Sequence, residues 1–507
     1  MRPPSERPPS CCRAPSRPGT GRCSCSPEGA MAEAVVSAGR LLGRTVATPD
    51  GAAHAFLGVP YAGDPRRFLP APPLEAWSGR REALEPGPRA PQTSGGSETG
   101  CLTVNVWTPE AAEACPVIVW IHGGLHVAGS PSEPFCDGAR LAARTGTVVV
   151  ALGHRLGALG FLTVDHLLGH EYRDSANAGL HDTVAALEWV RDEIAAFGGD
   201  PGRITLAGQS AGATSAAMLL AAPRAEGLFA RAVLQSANPE RVGSREYGEE
   251  ATAELLDLLG APPERLLDLP WPRLIEAQDR LLARRSAAGP NTVAVFRAGL
   301  DGRLLTRDPV SAVAAGASSG VDLVVTTNVN EGSGSVDLRA PDSVELRAQL
   351  DRHVADLLPG GDAGAYREAL AADLGRTPSD AEALEACLAD EIYRQPSLRL
   401  LDARAAATGS TRAALFAWRA DDSRGATHSL ELPFLFRSLD DARGTIGPAP
   451  QRLSDEVSSR WAAFAATGDA GWPEYGSERT TLVLDDPVRI VDAPREHLRR
   501  LVASHRR

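Results

Sequence analysis

Along the chain, short runs of apolar residues alternate with longer stretches in which apolar side chains recur every three or four positions. From about Val36 onward, CPVIVWIHGG, TVVVALGHR, ITLAGQS, AVLQS, VDLVVTTN and AALFAWR each end near a turn or a polar cluster, and such runs read as strands. Between them lie stretches such as HDTVAALEWVRDEIAAFGG, apolar at i, i+3, i+4 and i+7 and closed by a glycine pair. That is the pattern of a helix with one buried face. Nearly continuous apolar strands separated by helices predict an α/β fold, with a large, mostly parallel central sheet flanked by helices on both faces. Helical insertions are expected after Gln235 and around residues 339–395. No internal repeat or long linker breaks the pattern, so residues 31–507 are expected to form a single domain.

Residues 1–30 are different: rich in Pro, Arg, Ser and Cys, with no apolar patch. They are expected to be a disordered leader without the apolar centre of a secretion signal, and Met31 is the expected true start. Cys11, Cys12, Cys23 and Cys25 lack the C-x₂-C spacing and partner histidines of a zinc site. Cys101, Cys115, Cys136 and Cys387 are scattered, and free thiols in a reducing cytoplasm are the expectation. No apolar run approaches the roughly 18 to 20 residues of a membrane span. A formal charge of -12 leaves no basic surplus for nucleic acid. All 52 basic residues are arginine, which excludes a Ser-Lys dyad, a Schiff-base lysine and a P-loop lysine.

Chemistry enters at ITLAGQSAGATSAAMLL, residues 204–220. An apolar strand stops at Gly208, and small apolar or helix-forming residues follow from Ala211. Strand, sharp turn and helix is the setting in which G-x-S-x-G holds a serine out for attack, here Ser210. With 50 glycines the pattern alone is weak, and GASSG, centred on Ser318, fits it as well. There the order is helix, loop, strand, so Ser318 reads as a linker serine.

A nucleophilic Ser210 needs a base, an orienting acid and an oxyanion hole. Four histidines follow it: His353, His428, His497 and His505. His353 sits in a helical pattern and the last two in an arginine-rich tail. His428 alone follows a strand through a polar loop, so it is favoured as base. Glu331 lies in a glycine-flanked turn at the end of VDLVVTTN and is favoured as acid. Asp301 reads as part of a tight hairpin turn, and Asp322 as fixed by packing inside a strand. The glycine loop of VIVWIHGGLHVAGS, around Gly123 and Gly124, is the expected source of oxyanion-binding N–H groups. His122 and His126 have i, i+4 spacing, but they bracket a loop at a strand end, so no metal is expected there.

FLGVPYA, CLTVNVWTP, WIHGG, RLGALGFL, the block from GLHDTVAALEW to ITLAGQSAGA, LFARAVLQS, NEG, HSLELPFLF and WAAFAATGD occur in this order. Together they resemble the type-B carboxylesterase and cholinesterase family, which implies the α/β-hydrolase fold. The resemblance implies Ser210 as nucleophile, Glu331 as acid and His428 as base, with oxyanion donors at the backbone N–H of Gly124, Leu125 and Ala211. It also implies Ser236 as a hydrogen-bonding neighbour of the triad and Arg155–Asp182 as a structural ion pair. The implied activity is hydrolysis of uncharged small-molecule carboxylic esters through an acyl-enzyme, with no cofactor. An amidase, carbamate hydrolase or lactonase would use the same residues, and a binding module can occupy the same fold.

Four departures stand out. Leu125 replaces the family's Gly or Ala, which predicts a narrowed hole or a strained backbone. His126 replaces an aromatic residue, and Gln209 replaces the common glutamate beside the nucleophile. The loop between Gln92 and Cys101 is short, with Ala90 where the partner cysteine would stand, so choline selectivity is not expected.

Overall fold

The computed structural model describes residues 29–286 and 294–505. Its N-terminal strands are β1 (Met31–Val36), β2 (Gly39–Thr48), β3 (Gly51–Pro60), β4 (Arg80–Glu82) and β5 (Thr103–Pro109). They are followed by β6 (Cys115–Ile121), β7 (Val148–Leu152), β8 (Gly199–Gln209) and β9 (Arg231–Gln235). The C-terminal strands are β10 (Asp322–Asn328), β11 (Thr411–Phe416), β12 (Thr480–Leu484) and β13 (Arg489–Asp492).

All thirteen belong to one sheet, ordered β1-β2-β3-β5-β7-β6-β8-β9-β10-β11-β12-β13, with β4 beside β2. The run from β7 through β12 is parallel. Both ends are antiparallel. The mostly parallel centre is the expected one. In β1, every second residue is buried, the period of a strand with one wet face.

Alternation across the strands divides the core into two layers. Val117, Val119 and Ile121 of β6 face a layer that includes Leu187 and Met218 of the covering helices. Ile118 and Trp120 of the same strand face Phe436 and Trp461 on the other side. The helix Ala178–Glu193 fulfils the periodic pattern read from its sequence. Its Asp182 is fully buried against Arg155, with Nε and the terminal nitrogen donating at 2.7 and 2.6 Å.

Both helical insertions are present. Arg245–Leu259 and Trp271–Ser286 follow β9. Val344–Leu357, Ala363–Leu374 and Asp380–Ala389 lie between β10 and β11, capped by Ser343, Asp362 and Ser379. At Ser379 the cap is reciprocal, with Glu382 reaching back to the backbone. These three helices and Glu496–His505 close over a separate apolar cluster that includes Leu350, Tyr366, Cys387 and Leu498. The expected leader at residues 1–30 lies outside the described residues up to position 28, while Gly29 and Ala30 already pair with Thr45 of β2. Cys101, Cys115, Cys136 and Cys387 are free thiols. Among the described residues no helix is long and apolar enough to cross a membrane.

Candidate active site

Ser210 stands at the corner between β8 and the helix Ala211–Ala221, with φ 55° and ψ −121°. A non-glycine residue adopts this region only at a cost of about 1–3 kcal/mol. The flanking glycines make the corner possible. A Cβ on Gly208 would come within 2.6 Å of the Gly212 backbone, and one on Gly212 within 2.1 Å of the Ile121 carbonyl. The corner is held by Ser210 N–H donating to Gln235 O (2.9 Å) and Thr214 N–H to Ser210 O (2.9 Å). The serine is thereby fixed at the carboxyl end of the parallel strands, where reactive groups collect in such sheets.

Two strands further along, the turn after β10 brings in Glu331. Its Oε2 lies 2.6 Å from His428 Nδ1, while Oε1 accepts from Asn328 N–H and from Ser236 Oγ, each at 2.6 Å. Ser236, just past β9, takes φ 54° and donates its N–H to Thr326 O of β10. Asn330 ties the two loops together: its Oδ1 accepts from Ala426 N–H and its Nδ2 donates to Glu385. Burial alone would lower the pKa of His428. The charge of Glu331 and its hydrogen bond outweigh burial, so the imidazole is more basic than an ordinary histidine.

His428 Nε2 lies 3.1 Å from the side-chain amide nitrogen of Gln209, which also donates to Ser429 Oγ at 2.8 Å. With Nδ1–H turned to Glu331, Nε2 carries the lone pair and accepts from Gln209. Ser210 Oγ is not hydrogen-bonded to His428 in this arrangement. Catalytic contacts of this kind commonly tighten only when substrate is bound.

The loop after β6 runs through Gly124 (φ 115°), Leu125 (φ 55°) and His126 (φ 60°). The expected strain at Leu125 is present, since this backbone region favours glycine. Among the described residues, neither Gly124 N–H nor Leu125 N–H reaches a protein acceptor. Gly123 brings this loop against the nucleophile corner: a Cβ on it would lie 3.2 Å from Ser210 Cβ. His122 and His126 face different surroundings. His122 stacks on His154 with ring centres 4.9 Å apart, and His126 Nε2 lies 2.9 Å from Ser215 Oγ. Burial lowers their pKa values to about 3 and about 4, so both are neutral.

Tyr393 is a site residue that the sequence did not signal. It lies in a π-helical turn, Asp390–Arg394, and its ring stacks on His428 with centres 4.6 Å apart. Burial raises the phenol's pKa to about 12, the Glu331 charge adds to the rise, and Arg241 and the Ser210 hydroxyl oppose it. His428 also borders a cavity of about 330 Å³, walled by Phe135, Leu430, Leu432, Pro433 and Ile446.

The other candidates lie elsewhere. His353 pairs with Glu391 (2.9 Å) and His497 with Asp373 (2.8 Å). Beside Asp301 the chain bends at Gly302, φ 67°, but among the described residues no strand pair flanks them, so this is not a hairpin. Its carboxylate accepts from Asn177 and from the N–H groups of Arg303 and Leu305. Asp322, at the opposite end of β10, is held by Ser410 N–H and Oγ, so hydrogen bonds rather than packing fix it. Ser318 donates to the Leu220 carbonyl in a linker.

Residues 31–492 match the Carboxylesterase family. The para-nitrobenzyl esterase of Bacillus subtilis (strain 168) is 35% identical over 492 residues, covering 90% of this chain and 96% of the relative. The phenmedipham hydrolase of Pseudarthrobacter oxydans is 34% identical over 480 residues, covering 86% of this chain and 91% of the relative. A solved structure of a PNB esterase superposes with a TM-score of 0.81 at 32% identity, over 93% of this chain and 99% of that one. The chain therefore has the α/β-hydrolase fold and belongs to the carboxylesterase family, as a serine carboxylic ester hydrolase.

Proposed function

We propose that Ser210, His428 and Glu331 hydrolyse uncharged small-molecule carboxylic esters through an acyl-enzyme. His428 Nε2 takes the proton from Ser210 Oγ as the oxygen attacks the carbonyl carbon. The tetrahedral intermediate's oxyanion is met by the N–H groups of Gly124, Leu125 and Ala211, each such donor being worth about 3–4 kcal/mol. Collapse expels the alcohol, which leaves with the proton from His428. Water then attacks the acyl-enzyme, giving its proton to His428, and the acid is released as Ser210 recovers its proton. Glu331 holds the imidazole by Nδ1 and stabilises its charged form, and Ser236 holds Glu331. These steps need no cofactor.

The observation that carries this reading is the strained serine at the strand–helix corner, set beside a 2.6 Å histidine–glutamate pair. The apolar cavity beside His428 suits an uncharged leaving alcohol, because the leaving oxygen must lie within reach of Nε2. The name of one relative, para-nitrobenzyl esterase, agrees with an ester substrate. A reducing cytoplasm is the proposed setting, supported by the four free thiols.

The test is hydrolysis of p-nitrophenyl acetate, butyrate and octanoate by wild type and Ser210→Ala. Turnover should vanish in the variant. Undiminished turnover would remove Ser210 from the mechanism, and none by folded wild type would favour a binding module. Matched amide and carbamate substrates, run in parallel, should be cleaved more slowly than the ester.

A further inference from the structure

A second cavity, of about 240 Å³, lies near the catalytic centre, and Asn238, Arg241, Arg297 and Glu391 are in its walls. Asn238 N–H donates to Thr214 Oγ on the helix that Ser210 opens, which ties this wall to the nucleophile. Most charged groups around the cavity already have partners. Arg297 lies over the Tyr247 ring at 4.3 Å and donates to the Tyr247 hydroxyl and the Ala294 carbonyl. Glu240 is engaged by Arg399, and Glu391 by His353. Asp356 is at the exposed rim.

Arg241 differs. Among the described residues its guanidinium makes no hydrogen bond and reaches no carboxylate at ion-pair distance. Burial lowers its pKa, and Tyr393, Tyr247 and Glu391 only partly compensate. Arg241 is partly exposed in this cavity, so its guanidinium is free to meet an anion that enters it. It lies close enough to the site for its charge to act on His126, Tyr393 and His428. His428 opens onto the other, apolar cavity, and the alcohol must leave past Nε2. The cavity of Arg241 is separate from that one, which leaves it for the acyl half of the ester.

We propose that Arg241 forms an acyl-side subsite for a carboxylate, so that half-esters of dicarboxylic acids are substrates in addition to uncharged esters. This deepens the serine esterase reading and rests on it. A guanidinium binds a carboxylate by two parallel N–H···O bonds, which fixes its position as well as attracting it.

The experiment compares kcat/KM, by proton release, for monoethyl succinate, glutarate and adipate against ethyl butyrate, valerate and hexanoate. Wild type, Arg241→Gln and Arg241→Lys are compared, with 3-acetoxypropionate against propyl acetate as the alcohol-side pair. The anionic-to-neutral ratio on the acyl side should fall about tenfold in Arg241→Gln, and Arg241→Lys should retain part of it. An unchanged ratio in a folded Arg241→Gln overturns the proposal, as does a change confined to the alcohol-side pair. If Arg241→Gln does not fold, wild type decides alone. Added salt must then erode the half-ester preference relative to the neutral series, and a salt-independent ratio overturns it. Failure of the esterase reading would look different: folded wild type would turn over none of these esters, neutral ones included.

Discussion

Gln209 is the residue whose chemistry most sets this site apart. Its amide occupies the proton-accepting nitrogen of His428, at a position where a glutamate would instead favour the imidazolium. The His428 pKa already stands above its ordinary value because Glu331 outweighs burial. A second carboxylate would raise it further. A general base works only when deprotonated, so the acid limb of the kcat/KM profile should move to higher pH in Gln209→Glu. The pH-rate profile of that variant, with a p-nitrophenyl ester, checks the sign, and a limb moving to lower pH would contradict it. Ser210, Glu331 and His428 could each be singled out from their neighbours in the chain. Tyr393 could not, because a π-turn shifts side chains out of the helical register on which pattern reading depends. Arg241 was equally silent, since what distinguishes it is the absence of a partner among the described residues, and partners come from distant segments.

At the scale of elements, the catalytic turn depends on a helix remote in sequence. Glu385, in the helix Asp380–Ala389, accepts from Asn330 Nδ2 at 3.0 Å and from Gly332 N–H at 3.1 Å, directly beside Glu331. Burial raises its pKa to about 7, against the opposing effects of Arg495, Asn330 and Gly332. A carboxyl raised in the folded state favours folding most below its unfolded pKa, and that contribution is lost as pH rises through the folded value. Between about pH 4.5 and 7 the fold should thus lose about 3 kcal/mol through this group. Urea unfolding at several pH values should show a shallower loss over that window in Glu385→Gln. Both ends of this contact lay in segments whose type was legible. VDLVVTTN gave its strand through a continuous apolar run, and the insertion gave its helices. Their mutual approach was not legible, because local periodicity says which face is buried but not against what.

Across the whole molecule, one buried pair joins pieces that pattern reading sees separately. Arg155, just after β7, holds Asp182 of the helix Ala178–Glu193 and also donates to the Leu69 and Ala178 carbonyls. Breaking such a pair from one side leaves an uncompensated charge and typically costs about 3–5 kcal/mol. Asp182→Asn should show a loss of that size in urea unfolding, and a loss below about 1 kcal/mol would mean that the guanidinium finds other partners. The fold class was legible because parallel strands buried on both faces read as unbroken apolar runs. The N-terminal antiparallel strands were less so: they precede the regular strand–helix alternation, and β2 and β3 mix buried with exposed positions instead of forming unbroken apolar runs. The sheet order has a kinetic consequence as well. Ser210, Glu331 and His428 follow β8, β10 and β11, and β10 pairs with β9 and with β11 only across the long segments 236–321 and 329–410. Closing such loops is slow, so secondary structure should return early during refolding and turnover last, making esterase activity a reporter of complete assembly.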